Sequence, residues 1–324
     1  MKRKISIMLC IILFILTGCR ASVKTIRFGA ADIGGMYYSF ANTFTELANE
    51  EGLDYTFKVR TTAGSSANLR LLADNYIEIG IVQADLISDA YKNNNDLRAI
   101  AGLYTEVCQL VVRADSDIQS LNDLAGHTVS IGAEESGTEL NAKKILEFAG
   151  MPSSIVQTKN LDYIDATNEL KSGDIDAFFC TAGLTTTVID ELSKECDLRL
   201  IPSDEDVIQK MLAGSDAYTS TYIPAGTYRG QDTDISTIGT KSVLLTTSSV
   251  PEDIIEQLTS LLFDKEKELQ YSTSLSLELN EDFATSDVPV PFHSGALKYY
   301  EAQGYHLNYL IKFIFRNERY LMKI

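Results

Sequence analysis

Apolar and polar positions along this chain repeat one pattern: a short apolar run, a Gly/Ser/Thr turn, then residues at three- and four-residue spacing. That rhythm predicts strands alternating with amphipathic helices, hence an α/β fold with largely parallel pairing. IRFGA (26–30) precedes Gly34-Gly35 and a helix whose expected core face is Tyr38, Ala41, Phe44, Leu47 and Ala48, closing near Gly52. FKVRT (57–61) leads through Ala63-Gly64-Ser65-Ser66 into a helix with Leu69, Leu72 and Ala73. IEIGIVQ (77–83) leads into a helix from Asp85 to about Lys92.

A second block has the same grammar. CQLVVRADS (108–116) reads as a strand leaving the first block, and HTVSIG (127–132) precedes Glu135-Ser136-Gly137-Thr138 and a helix stopped by Gly150 and Pro152. DAFFC (176–180) precedes Thr181-Ala182-Gly183 and a helix through Val188, Ile189 and Leu192. KSVLLTT (241–247) reads as a strand returning to the first block, and Pro251 opens the helix EDIIEQLTSLLF. The chain carries no low-complexity linker. Two lobes joined by two crossing strands are therefore expected, with residues 22–109 and 240–304 forming one, 110–239 the other, and 305–324 an aromatic, basic extension expected to pack on a lobe.

The first eighteen residues change the picture from a plain soluble chain. Lys2, Arg3 and Lys4 precede an apolar run from Ile5 to Leu16, too short for a membrane span and laid out as a secretory signal. Leu16-Thr17-Gly18-Cys19 resembles a bacterial lipobox, which makes Cys19 the expected lipidation site and the outer face of the cytoplasmic membrane the expected location. The full chain has 28 Lys and Arg against 45 Asp and Glu, a net charge of −17; losing three basic residues with the signal makes it −20. Such acidity argues against nucleic acid as a partner. Of the five cysteines, only Cys108, Cys180 and Cys196 remain in the folded part, an odd number without CxxC spacing, so buried free thiols are favoured over a disulfide framework or metal site.

Candidate chemistry collects at the turns. In parallel α/β sheets the open strand ends and the N-termini of the following helices face one crevice. Gly34-Gly35, Gly64-Ser65-Ser66, Ser136-Gly137-Thr138 and Thr181-Ala182-Gly183 each put small residues with free backbone N–H groups at such a place, where an anion gains on the order of 0.3–1 kcal/mol per helix terminus. Each has an ordinary alternative: Ser136-x-x-Glu139 is a capping box, Ser65 or Ser66 a helix cap, Gly35 a turn former. Tyr37 is assigned to the cleft and Tyr38 to the core. Gln83 stands at an open strand end, Asp85 reads first as a helix cap, and Asn68 and Arg70 lie one turn into a helix, with Asn68 near enough to its start to reach a ligand. Enzyme signatures are missing: no GxSxG, Walker A, GxGxxG or HExxH motif occurs, and His127, His293 and His306 are scattered. No catalytic residue, metal or cofactor is assigned.

GGMYYSFANTF, TTAGSSANLRLLADNYIEIGIVQADL, EESGTELNAKKILEFAGM, LKSGDIDAFFCTAG, IPAGTYRGQDTDIST and VPFHSGALKYY together resemble, in order over residues 25–304, the TAXI class of receptors of tripartite ATP-independent periplasmic (TRAP) transporters. The resemblance implies a type II periplasmic-binding-protein fold, lobe closure on a small anionic solute (glutamate, glutamine or a 2-oxo dicarboxylate), and delivery by a monomer to TRAP membrane subunits. It carries ligand contacts onto Gly35, Met36, Tyr37, Gly64, Ser65, Ser66, Asn68, Gln83, Ser136, Gly137, Thr138, Thr181 and Gly183. Met36 stands where a small or polar residue is common, Cys180 is unusual, and the last twenty residues have no counterpart. A binding lipoprotein that signals to a sensor kinase is the alternative role.

Overall fold

The computed structural model describes residues 24–273 and 277–307. The expected signal, Cys19 and most of the C-terminal extension lie outside the described residues.

Strands β1 (Lys24–Gly29), β2 (Tyr55–Arg60) and β3 (Ile79–Gln83) pair in parallel as β2-β1-β3, with α1 (Met36–Glu50), α2 (Ser65–Ala73) and α3 (Ala84–Asn93) following them in turn. A second parallel group, β5 (Thr128–Ser130), β6 (Gln157–Lys159) and β7 (Ala177–Ala182), alternates with α4 (Gly137–Phe148), α5 (Tyr163–Ser172) and α6 (Thr187–Glu195). Then come β8 (Leu198–Ile201), α7 (Glu205–Gly214) and β9 (Tyr218–Ile223).

Two long strands join the groups. β4 spans Leu97–Arg113 and β10 spans Ile235–Thr247, antiparallel to each other from Leu97↔Thr247 to Val107↔Gly239. Beyond that shared stretch β4 runs on to pair with β7 and β8, while β10 starts against β9. Both crossings are longer than their apolar runs predict: β4 begins eleven residues before Cys108, and β10 begins six before Lys241. The polar residues Thr105, Glu106, Thr237 and Thr240 hid them, because pairing on both sides satisfies the backbone whatever the side chain. The C-terminal helices α8 (Glu252–Asp264), α9 (Glu266–Thr273), α10 (Glu281–Thr285) and α11 (Ser294–Ala302) return to the first group.

The core divides along the same line. One apolar cluster draws on residues 26–104 and 243–300, and two others draw on residues 107–238. In the first, Phe28, Phe40 and Phe44 form an aromatic triangle with ring centroids 5.6–6.4 Å apart. The buried stripe of α1 is Tyr37, Phe40, Ala41, Phe44, Thr45 and Ala48. It is rotated from the expected one, so Tyr38 and Leu47 are only half-buried and Tyr37 is the better-covered tyrosine. The apolar arc of this helix, from Met36 round to Tyr38, is wider than the stripe it buries, so a 3.6-residue period does not say which part turns in, and the aromatic partners decided it.

The IPAGTYRGQD segment spans the end of β9 and the loop into β10, and it packs within the second lobe. Tyr228 donates to Gln109 Oε1 at 2.8 Å and receives the Thr186 N–H at 3.0 Å, while Gln231 Nε2 donates to Ile223 O, Pro224 O and Thr233 O. Its side chains hold the loop in shape rather than face the cleft.

Candidate functional site

Three helix starts meet in the gap between the lobes. Before α1, Gly34 adopts the left-handed φ of +94° that glycine tolerates, and Gly35 takes the cap position with its own N–H bonded to Asp32 O at 3.0 Å. Gly64, at φ +116°, plays the same part before α2. Neither helix has a side-chain cap, so Met36, Tyr37, Ser65 and Ser66 carry N–H groups with no partner inside their own helix. From the opposite lobe α4 presents Gly137 and Thr138. Its cap is Ser136, whose hydroxyl accepts from Glu139 N at 3.0 Å; Glu139 returns its carboxylate to the N–H of Glu135, one residue earlier than a standard capping box would.

These starts surround a cavity of about 50 Å³, lined on the first side by Gly35, Met36, Tyr37, Gly64, Ser65 and Gln83, and on the second by Ser136, Gly137, Thr138 and Thr181. Three expected contacts fall elsewhere. Ser66 is half-buried off the cavity. Gly183 lies behind it, packed against the Met36 side chain: a Cβ there would meet Met36 Cε at 2.4 Å. Asn68 is fully buried and points at the sheet, with Nδ2 donating to Gly29 O, Ala30 O and Ile81 O at 3.2, 2.7 and 2.9 Å and Oδ1 accepting from Thr62 Oγ1 at 2.7 Å. It ties the ends of β1 and β3 to α2; Gly29 and Gly80 leave it room. The Thr181–Gly183 segment is also not a helix start. Thr181 and Ala182 complete the fully buried β7, and α6 begins only at Thr187.

Several hydroxyls expected to face a ligand have partners of their own. Ser65 Oγ accepts from Gln83 N at 3.1 Å, and Thr138 Oγ1 accepts from Thr181 N at 3.2 Å while bonding Tyr163 OH at 2.7 Å. Among the described residues Thr181 Oγ1, 5% exposed as a residue, has no partner beyond the weak thiol of Cys108. The donors left for a solute are therefore mainly backbone N–H groups.

The sequence reading missed the acidic part of the lining: Glu106, Asp32 and Asp162, with Tyr163 beside them. Glu106 projects from the middle of β4, 2% exposed. It accepts from Tyr37 OH at 3.0 Å and from the Gln83 side chain, and burial pushes its carboxyl up to about 8. Burial, with Asp162 facing it, also raises Asp32. A lone carboxylate inside the apolar run LRAIAGLYTEVCQLVVR was the available signal. Asp32 and Asp162 sit on loops without a motif.

The lobes are shut on each other. Asn141 Nδ2 donates to Gln83 Oε1 at 2.9 Å, and the Tyr218 hydroxyl lies 2.7 Å from Asp85 Oδ2 and 2.8 Å from Asn141 Oδ1. Lys144 Nζ stands 3.7 Å from Asp85, and Thr240 donates to Asp85 Oδ1 at 3.3 Å. Asp85 is thus a cross-lobe contact in the first turn of α3, not its cap, a position that Gln83 holds. At the rim Arg70 grips Glu135 through two bonds of 3.0 and 2.7 Å, and Ala67 N donates to Glu135 O at 3.2 Å. Cys108 and Cys180 are buried free thiols raised to about 12, and Cys196 is free and half-buried. Among the described residues no group of three or more His, Cys, Asp or Glu is placed to hold a metal ion, and no helix is long and apolar enough to cross a membrane.

Solved structures share this architecture. PhnD1 from Prochlorococcus marinus (MIT 9301), in complex with methylphosphonate, aligns at a TM-score of 0.57 with 12% identity, covering 87% of this chain and 99% of that one. A putative L-cystine ABC transporter protein from Listeria monocytogenes aligns at 0.52 with 16% identity, over 78% and 95%. The fold is of the type II periplasmic-binding-protein kind. A family model matches nearly the whole described chain, from Phe28 to Gly304, and on that match this chain belongs to the NMT1-like family.

Proposed function

We propose that this chain is a TAXI-type solute receptor for a TRAP transporter, anchored outside the cytoplasmic membrane through lipid on Cys19, and that it captures a small carboxylate-bearing solute by closing its lobes. The observation that carries this reading is the cavity itself: uncapped helix starts from one lobe face a third helix start from the other. Backbone N–H groups so arranged donate to a carboxylate and hold it without lysine or arginine. A solute touching both walls favours the shut form by its differential affinity, and the shut form is what a membrane partner would recognise. The cavity is well below the roughly 300–1,000 Å³ of clefts for drug-sized ligands, which favours a solute of a few heavy atoms.

The TRAP assignment rests on the sequence motifs rather than the fold, since an ABC transporter protein shares the fold. A thermal-shift screen of amino acids and dicarboxylates, with mass spectrometry of any solute that co-purifies, tests the receptor. We expect a solute recovered unchanged that raises the melting temperature; turnover of that solute would point to an enzyme. Uptake into vesicles driven by an ion gradient without ATP is expected with the cognate membrane subunits, and strict dependence on ATP would overturn the TRAP assignment. Cys19→Ala should release the protein from the membrane fraction; continued retention would contradict lipid anchoring.

A further inference from the structure

We propose that the solute carries a protonated nitrogen and that Glu106 is the residue that reads it, so that this receptor selects a zwitterion, an α-amino acid, over a dicarboxylate or 2-oxo acid of the same shape. The inference rests on the receptor reading above and narrows its solute class.

The charge balance of the cavity carries the argument. Its lining includes the carboxyls of Asp32, Glu106 and Asp162 and, among the described residues, not one Lys, Arg or His. The helix starts can neutralise one carboxylate of a solute. A second carboxylate would be left facing buried acids with no cation to offset them, an arrangement that costs free energy in a poorly solvated gap. A protonated nitrogen reverses that term. Among the described residues Glu106 forms no ion pair, although it is sealed from water; its hydrogen bonds come from the neutral groups of Tyr37 and Gln83. The Thr181 hydroxyl, also buried on this cavity, offers a second acceptor for an N–H group.

Proton linkage gives the two solute classes opposite signs. With its carboxyl raised to about 8, Glu106 is mostly neutral at pH 7. A nearby ammonium favours the ionised form, so binding an amino acid at pH 7 releases a proton and affinity grows as pH rises toward 8. A dicarboxylate instead favours neutral Glu106, takes protons up, and loses affinity above pH 8. The groups facing Glu106 leave this signal clean: Tyr37 from α1, Tyr104 on β4 itself, Tyr163 from α5 and Cys180 from β7 are all raised by burial and stay neutral across pH 6–9. Asp85 from α3 is the other acid near it, raised by burial but held by Tyr218 and Lys144. Asp32 and Asp162 complete the acids on the lining.

The test is titration calorimetry with matched pairs of L-amino acids and their 2-oxo acids, each in two buffers of different ionisation enthalpy at pH 7. The amino acid of at least one pair should bind tenfold or more tightly than its oxo acid and release up to about one proton. Glu106→Gln should lose tenfold or more for the amino acid, abolish the proton release, and leave the oxo acid no weaker. Circular dichroism and melting of that variant check that it is folded, and the parent's pairwise preference stands as a readout if it is not. Equal or tighter binding of the oxo acid, or proton uptake with the amino acid, overturns this inference and leaves the receptor reading intact. Binding of no pair, with a different solute recovered by mass spectrometry, overturns the inference alone; recovery of no solute at all counts against both.

Discussion

Asp85 and Glu106 both hang from the first lobe into the interlobe gap, and both carboxyls are pushed up by burial. Their surroundings differ. Asp85 is completed across the gap by the Tyr218 hydroxyl at 2.7 Å and Lys144 at 3.7 Å, with Thr240 of its own lobe at 3.3 Å. Glu106 accepts from Tyr37 and Gln83 of its own lobe, faces the neutral Tyr163 and Cys180 of the other, and lines the cavity. One acid is satisfied when the lobes meet; the other is satisfied by what arrives from outside. The same gap thus contains a latch and a reading head, distinguishable because burying a carboxyl without a partner is costly wherever it occurs.

Asn68 sharpens the contrast from the structural side, and its removal should have the largest effect. Asn68→Ala strips a partner from three buried carbonyls, each worth about 1–3 kcal/mol when left unpaired. Roughly 3 kcal/mol of stability should be lost, lowering the melting temperature by about 6–12 °C, while calorimetric affinity of the folded fraction stays within about threefold of the parent. A large affinity loss at unchanged stability would place Asn68 in the site after all.

Asp85→Ala breaks the latch itself. Hydrogen bonds to a charged group contribute about 1.5–3 kcal/mol, so the shut form should lose about ten- to hundredfold and solute binding with it. Small-angle scattering should show a more open particle; unchanged affinity and radius would mean that Asp85 only packs. A smaller effect separates the two acids by pH. Both carboxyls are raised in the folded state, so their contribution to stability is fully present below the ordinary carboxylate range and is lost as pH rises, through about 8 for Glu106. Melting of the solute-free protein should fall by several degrees between pH 5 and 8, and Glu106→Gln should flatten that slope; an unaltered slope would assign it to other groups. The smallest effect belongs to the rim. Arg70 and Glu135 are half-exposed and screened by solvent, so Arg70→Ala should shift the melting temperature by less than any of the changes above, and by less still in salt.

The alternation of strand and helix was legible where apolar strand runs such as Ile79–Gln83 and Ala177–Ala182 stand out and where Gly or Ser turns precede α1, α2 and α4; the polar β6, Gln157–Lys159, gave no such signal. The helix starts at Gly35, Gly64 and Ser136 were legible for the same reason, and they are the ones that meet. Asn68 was misread because spacing gives distance from a helix start but not the direction of a side chain, and this one turns toward the strand ends. Thr181 was misread as a turn because a small polar residue after an apolar run resembles one; the strand runs on to Ala182, paired with β4. Glu106 was hidden in a strand that seemed to begin at Cys108, and the significance of a single buried acid appears only when the opposite lobe closes over it.

The most direct measurement is a crystal structure of the protein loaded with the solute recovered in the screen. The account predicts a carboxylate about 3 Å from the N–H groups of Met36, Ser65 and Gly137, with a nitrogen turned toward Glu106 and both lobes in contact with one molecule. A solute seated outside the gap, or one that turns its carboxylate toward Glu106 and away from the helix starts, would contradict it.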